Sequence, residues 1–157
     1  SVRYHRRTPR RSIPRRKVLR TTLGVSLKPC AYQTVWNLRY EDVPVLDMCL
    51  FQRSSDYLTA GCINQLQYTA FLIAIAGHLG YRPGRFTWFV ANVQVYDRHM
   101  EQAKEMLKRE SIECSPKITL SENRSVWDLE VDDFNVEGYP REEIKEKNPQ
   151  LKFDLGI

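Results

Sequence analysis

The sequence predicts an α+β layer fold, a mixed β-sheet packed with helices, one of them central and buried. Three observations carry that expectation. Asn64 to Leu79 is apolar on nearly every side, with Leu66, Tyr68, Ala70, Phe71, Ile73 and Ile75 leaving little polar surface, as in a helix inside a core. Ahead of it lie two β-leaning runs, Thr34 to Arg39 and Val45 to Arg53. Behind it an aromatic run, Phe86 to Val90, continues as a strand towards Tyr96.

Tyr40-Glu41-Asp42 supplies the turn between the first two strands. Gly80 suits the helix C-terminus, where a residue without Cβ turns left-handed at little cost. Tyr81-Arg82-Pro83-Gly84 then turns the chain into the third strand. Arg98 to Arg109 is an amphipathic helix: Met100, Ala103, Met106 and Leu107 share a face, and Glu105 precedes Arg109 by one turn. Lys117 to Leu120, Trp127 to Val131 and Asp132 to Tyr139 read as short strands. The closing Leu151-Lys152-Phe153-Asp154-Leu155-Gly156-Ile157 is too apolar for a solvated end and is expected to dock.

A length of 157 residues fits one domain, or most of one, with a real core, and 42% hydrophobic with 27% charged residues is the balance of a soluble globular protein. No apolar run reaches the roughly 20 residues that span a bilayer, so no membrane association is expected. The basic start lacks the apolar stretch of a secretory signal. Cys30, Cys49, Cys62 and Cys114 form no CxxC pair and have no histidine at metal-ligand spacing, which argues against a zinc site, any other metal, or a disulfide framework. Cys49 and Cys62 sit among apolar residues and read as buried thiols of a reducing cytoplasm. Cys30 follows Pro29 just outside a strand; by itself such a cysteine is more often structural than catalytic.

The net charge of +5 is uneven. Arg3, Arg6, Arg7, Arg10, Arg11, Arg15, Arg16, Lys17 and Arg20 fall in the first twenty residues, and the rest of the chain is slightly acidic. A solvated tail, a nucleic-acid arm and a phosphate clamp of forked guanidiniums are all compatible with this composition.

Four stretches place polar or nucleophilic groups where strands or helices end against an apolar core, which is where small-molecule sites lie. They are Lys28-Pro29-Cys30-Ala31-Tyr32-Gln33, Gln52-Arg53-Ser54-Ser55-Asp56, Ile63-Asn64-Gln65-Leu66-Gln67-Tyr68, and Val90-Ala91-Asn92-Val93-Gln94-Val95-Tyr96. A buried Asn64 amide needs partners for two donors and an acceptor, and the N3–H and O4 edge of uracil would supply them.

Together these stretches resemble the thymidylate synthase family, in its C-terminal catalytic part. The family has a Pro-Cys nucleophile, matched at Pro29-Cys30, and a Gln-Arg-Ser-x-Asp motif, matched from Gln52 to Asp56. The family's Asn follows eight residues after that Asp, as Asn64 follows Asp56 here, and Tyr68 matches a family Tyr four residues later. Tyr96 to Gln102 is similar to Tyr-x-x-His-x-x-Gln, and Asp132 to Tyr139 and the last seven residues are similar to the family's C-terminal region. The resemblance runs from about Pro14 to Ile157, leaving residues 1–13 as an unaligned basic arm. The expected fold is then a thymidylate synthase-like α+β fold with a large mixed sheet.

The resemblance implies reductive methylation of dUMP to dTMP with 5,10-methylenetetrahydrofolate as cosubstrate, giving dihydrofolate. Cys30 would be the nucleophile, working as a thiolate favoured by a neighbouring guanidinium. By the same analogy Arg53 holds the substrate phosphate and assists Cys30, while Asn64 stabilises charge on the pyrimidine O4. Gln52, Ser54, Gln94 and Tyr96 would contact dUMP, and Asp56 the folate. Pro14-Arg15-Arg16 resembles a double-arginine segment in which Arg15 and Arg16 cross to the phosphate site of the other subunit, implying a homodimer. Ala31 stands where most members have His, as in some bacterial relatives. Gln94 replaces a usual His, so it can hydrogen-bond but cannot titrate near neutral pH. The family's N-terminal region, with a catalytic Glu, an aromatic folate contact and a further phosphate arginine, has no match in these residues. Two other readings compete: a pyrimidine nucleotide hydroxymethylase, which captures the same intermediate with water, and a non-catalytic nucleotide- or RNA-binding homologue whose basic arm contacts phosphates.

Overall fold

The computed structural model describes residues 29–121 and 125–154. Strands β1 (Ala31–Arg39), β2 (Val45–Gln52) and β3 (Ser55–Asp56) come first. A wide π-type turn, Tyr57–Gly61, leads into helix α1 (Cys62–His78), and strands β4 (Arg82–Val90) and β5 (Val93–Gln94) follow. A 3-10 turn, Asp97–His99, opens helix α2 (Met100–Lys108); β6 (Lys117–Leu120), β7 (Phe134–Glu137) and helix α3 (Arg141–Lys147) complete the described elements.

The main sheet has the order β1-β2-β4, with β1 antiparallel and β4 parallel to β2, the mixed sheet that was expected. A parallel neighbour needs a crossover, and α1 supplies it. Side chains of β2 alternate: Leu46, Met48, Leu50 and Gln52 are buried, whereas Asp47, Cys49 and Phe51 are half-buried on the opposite face. Trp36 and Leu38 of β1 and Phe86 of β4 flank the buried row, and α1 lays Leu72 and Ala76 on it. Ala76 is fully buried; its small side chain lets the helix approach the sheet closely.

The helical run Tyr57–His78 is 22 residues, long and apolar enough to cross a membrane. That exceeds the expectation from the apolar run alone, because the π-type turn extends the helix backwards. Within α1 the buried residues are Leu72, Ala74 and Ala76, and Leu72 and Ala76 belong to the core cluster. Ile63, Leu66 and Phe71 are exposed within the described chain, so the helix predicted to be mostly buried is covered on its sheet side.

Other expectations need correction. Trp127 to Val131 forms no strand: Val126–Asp128 is a 3-10 turn in which the Ser125 hydroxyl accepts from the Trp127 N–H, and a second turn occupies Val131–Asp133. Local side-chain bonds to the backbone outcompete pairing there. The predicted strand from Asp132 to Tyr139 therefore shrinks to β7, paired with β6. Arg82 to Gly84 belongs to β4 rather than to a turn, since Arg82 N–H reaches the Pro44 carbonyl at 2.9 Å and extends the parallel ladder. The third strand ends at Val90 and resumes only at β5. Cys62 is exposed, not buried, and the apolar face of α2 is uncovered among the described residues, with Met100, Met106 and Leu107 exposed. Helix α3 was not foreseen. Its signals are a preceding Pro140, Glu142 and Glu143 in the first turn, and Lys145 and Lys147 in the last, each pairing across one turn.

Candidate functional site

Gln52 is the last residue of β2, and the chain bends sharply after it. The Arg53 N–H bonds to the Cys30 carbonyl at 2.8 Å, so the segment before β1 and the segment after β2 are tied together by backbone. On the other side the Ser55 N–H reaches the Asn92 carbonyl at 2.9 Å, and the short strands β3 and β5 pair Asp56 with Gln94. The first turn of α1 brings Asn64 over the same spot. These ends enclose a cavity of about 560 Å³.

All the described residues expected at a site line this cavity: Cys30, Gln52, Arg53, Ser54, Asp56, Asn64, Gln94 and Tyr96. Arg15 and Arg16 lie outside the described residues. Ser55, Ala60 and Asn92 line it as well and were not foreseen as site residues. Ser55 and Asn92 sit inside stretches already singled out; Ala60 comes from the π-type turn, which leaves no clear mark in sequence.

The thiol of Cys30 is exposed, with its sulfur 3.5 Å from Ser54 Oγ. Arg53 Nη1 donates to the same Ser54 Oγ at 3.3 Å, and Arg53 Nε donates to the Pro29 carbonyl at 3.3 Å. Since Ser54 Oγ accepts from the guanidinium, its own proton is free to point at the sulfur. Gln52 is buried, and its amide is engaged within the protein by Trp88, Ser54 and Asn64. It therefore shapes the cavity through Asn64. Tyr96 O–H lies 3.5 Å from Gln94 Oε1, and the Arg98 guanidinium stacks over the Tyr96 ring at 4.7 Å. Asp56 Oδ1 is buried without a hydrogen-bond partner among the described residues. A buried carboxylate oxygen left unmatched is costly, so it fits a ligand N–H donor.

A thiol, a guanidinium, a hydroxyl and an amide converge where mixed-sheet strands end, an arrangement with the polar groups to hold a small molecule beside a cysteine. The thymidylate synthase family profile matches residues 8–150. Thymidylate synthases of Streptococcus gordonii and Streptococcus agalactiae are 41% and 43% identical over 134 residues, covering 83% of this chain and 46% of each relative. The thermostable thymidylate synthase A from Bacillus subtilis superimposes with a TM-score of 0.64 at 29% identity, over 70% of this chain and 38% of that one. The chain belongs to the thymidylate synthase family. It spans about half the length of the curated relatives it matches.

Proposed function

We propose that this chain carries the catalytic half-site of a thymidylate synthase, converting dUMP to dTMP. The observation that supports the reading is the convergence of Cys30, Arg53, Ser54 and Asn64, from three separate stretches, onto one cavity. C6 of uracil is a poor electrophile, so addition of the Cys30 thiolate is needed to turn C5 into a nucleophile. The C6–S bond forms as the C5–C6 π pair moves towards C5 and O4. Asn64 Nδ2 donates to O4 as it gains charge, while Ser54 and Arg53 steady the sulfur and the phosphate side. 5,10-Methylenetetrahydrofolate, as cosubstrate, supplies the one-carbon unit and the hydride that reduces it, leaving as dihydrofolate. The unpartnered Asp56 carboxylate oxygen suits an N–H of its pterin ring. After C5 has bonded the one-carbon unit it gives up its proton to a base or water, and the hydride delivered to that carbon completes the methyl as the C6–S bond breaks and Cys30 leaves as the thiolate.

The working unit in this reading is a homodimer, with Arg15 and Arg16 reaching the phosphate of the partner site. A face of the main sheet left uncovered by the described residues supports it: Val35, Cys49, Phe51, Thr87 and Phe89 share that face, and Val35 and Phe89 are exposed. Free thiols at Cys30, Cys49, Cys62 and Cys114 suit a cytoplasmic enzyme. RNA is the competing ligand for the basic segment.

Mass spectrometry after mixing the protein with 5-fluoro-dUMP and methylenetetrahydrofolate tests the reading. A covalent ternary adduct on the Cys30 peptide is expected. An unmodified Cys30 under conditions where the protein is folded overturns it. Product analysis with dUMP separates a methyl from a hydroxymethyl product.

A further inference from the structure

The side-chain amides of Gln52 and Asn64 are nearly symmetric in shape, so each could in principle sit either way round, and only their partners decide which end is oxygen. Trp88 settles the matter. Its indole N–H is a donor with no acceptor capacity, and it lies 2.9 Å from Gln52 Oε1. That end of Gln52 must be the oxygen. The other end meets the Ser54 main-chain carbonyl at 2.9 Å, which can only accept and so requires the amide nitrogen. Two independent partners thus agree on one orientation. The same Gln52 nitrogen lies 3.0 Å from Asn64 Oδ1. A donor there requires the oxygen of Asn64 to face Gln52, which leaves Asn64 Nδ2 for the cavity. Gln52 is only 3% exposed, and Trp88 is braced by a near-parallel Tyr57 ring, with centroids 6.5 Å apart and planes 16° from parallel. Reversing Gln52 would set donor against donor at Trp88 and acceptor against acceptor at Ser54.

We propose that Trp88 and Gln52 are positioning residues that determine which pyrimidine edge the cavity accepts, by holding Asn64 with its N–H groups towards the ligand. Asn64 so held donates to a ring carbonyl at position 4, and its oxygen keeps a lone pair for the N3–H. The 4-amino group of cytosine would meet a donor instead of an acceptor. The preference for uracil is therefore written two side chains away from the base. This rests on the reading of the cavity as a pyrimidine nucleotide site.

The test is Gln52→Glu. A carboxylate still accepts from Trp88 but has no N–H for Asn64, so Asn64 turns to donate to it and presents its oxygen to the cavity. Dissociation constants for dUMP and dCMP are measured by calorimetry, with circular dichroism as the check of folding. The ratio of dCMP to dUMP affinity is expected to rise by roughly tenfold or more. Trp88→Phe keeps the stack on Tyr57 and removes the donor; it should narrow the preference without inverting it, and it serves if Gln52→Glu does not fold. A wild type that prefers dUMP, with the same preference in a folded variant, overturns the inference and leaves the pyrimidine reading standing. A wild type that binds neither nucleotide removes both.

Discussion

His99 Nε2 lies 2.9 Å from the main-chain carbonyl oxygen of Asp154, 55 residues further along the chain. A carbonyl only accepts and the neighbouring Arg98 Nε, at 3.3 Å, only donates, so the two contacts compete for Nε2, and the Nε2–H tautomer satisfies the shorter one to Asp154. The ring stands edge-on to Tyr96 at 5.8 Å and to Phe153 at 5.3 Å, so one buried imidazole touches both a wall of the candidate site and the docked tail. Gln102 and Arg109 add bonds to the Lys152 and Pro149 carbonyls. All three grip backbone, so the tail is held without regard to its side chains. His99→Leu should cost about 1–2 kcal/mol in urea denaturation. Amide exchange between Gln150 and Asp154 should accelerate more than exchange in β2; equal acceleration in both would show that His99 does not hold the tail.

Gly84 of β4 lies tight against β2. A Cβ there would fall 2.2 Å from Asp47 Oδ1 and 2.6 Å from Val45 Cγ1. Asp47 cannot swing away freely, because Oδ1 accepts from the Arg85 N–H at 2.7 Å. Gly84→Ala should destabilise by about 2–3 kcal/mol. Gly80, at φ 70° with open space around it, should tolerate Asn at under about 1 kcal/mol. Similar unfolding midpoints for the two variants would contradict this account.

Asp47 also predicts a pH dependence. The hydrogen bond from Arg39, at 2.7 Å, and then the Arg85 N–H hold its carboxyl below the ordinary aspartate range. A depressed folded-state pKa stabilises the fold above the unfolded value, roughly pH 4, and that stabilisation is lost as pH falls through the folded value. The stability difference between wild type and Asp47→Asn should be constant from pH 7 to about pH 5 and shrink below about pH 4. A difference that grows on acidification reverses the sign and rules the explanation out.

Cys30→Ser should leave the fold and dUMP affinity unchanged within about twofold while dTMP formation falls below a few per cent, because an alcohol at neutral pH is a far weaker nucleophile than a thiolate. Retained turnover would assign the nucleophile elsewhere.

Phe51 and Phe89 touch at 5.7 Å between ring centroids on the open face of the main sheet, and Phe89 is 57% exposed. A second copy against this face would bury both rings. Phe89→Glu should therefore convert a dimer to a monomer in sedimentation velocity. Arg16→Ala and Cys30→Ala chains, each inactive alone, should regain activity when mixed. A wild type that sediments as a monomer at all concentrations removes the crossed-site arrangement.

Much of this protein was legible in its sequence. The β1 and β2 runs, the apolar helix and the aromatic strand follow from local composition and spacing, which act over a few residues and leave their mark there, while the motifs at Cys30, Arg53, Ser54 and Asn64 were legible through their resemblance to the family's pattern. The tertiary structure decided what depends on distant partners. Trp127 to Val131 has strand composition, yet Ser125 and Asp133 supply closer hydrogen bonds and coil it into turns. Gln52 belongs to a motif that suggested substrate contact, but only packing beside Trp88, 36 residues away, consumes its oxygen and directs its nitrogen to Asn64. A hydrogen bond's direction depends on which donor or acceptor arrives opposite, and that is a property of the fold rather than of the residue.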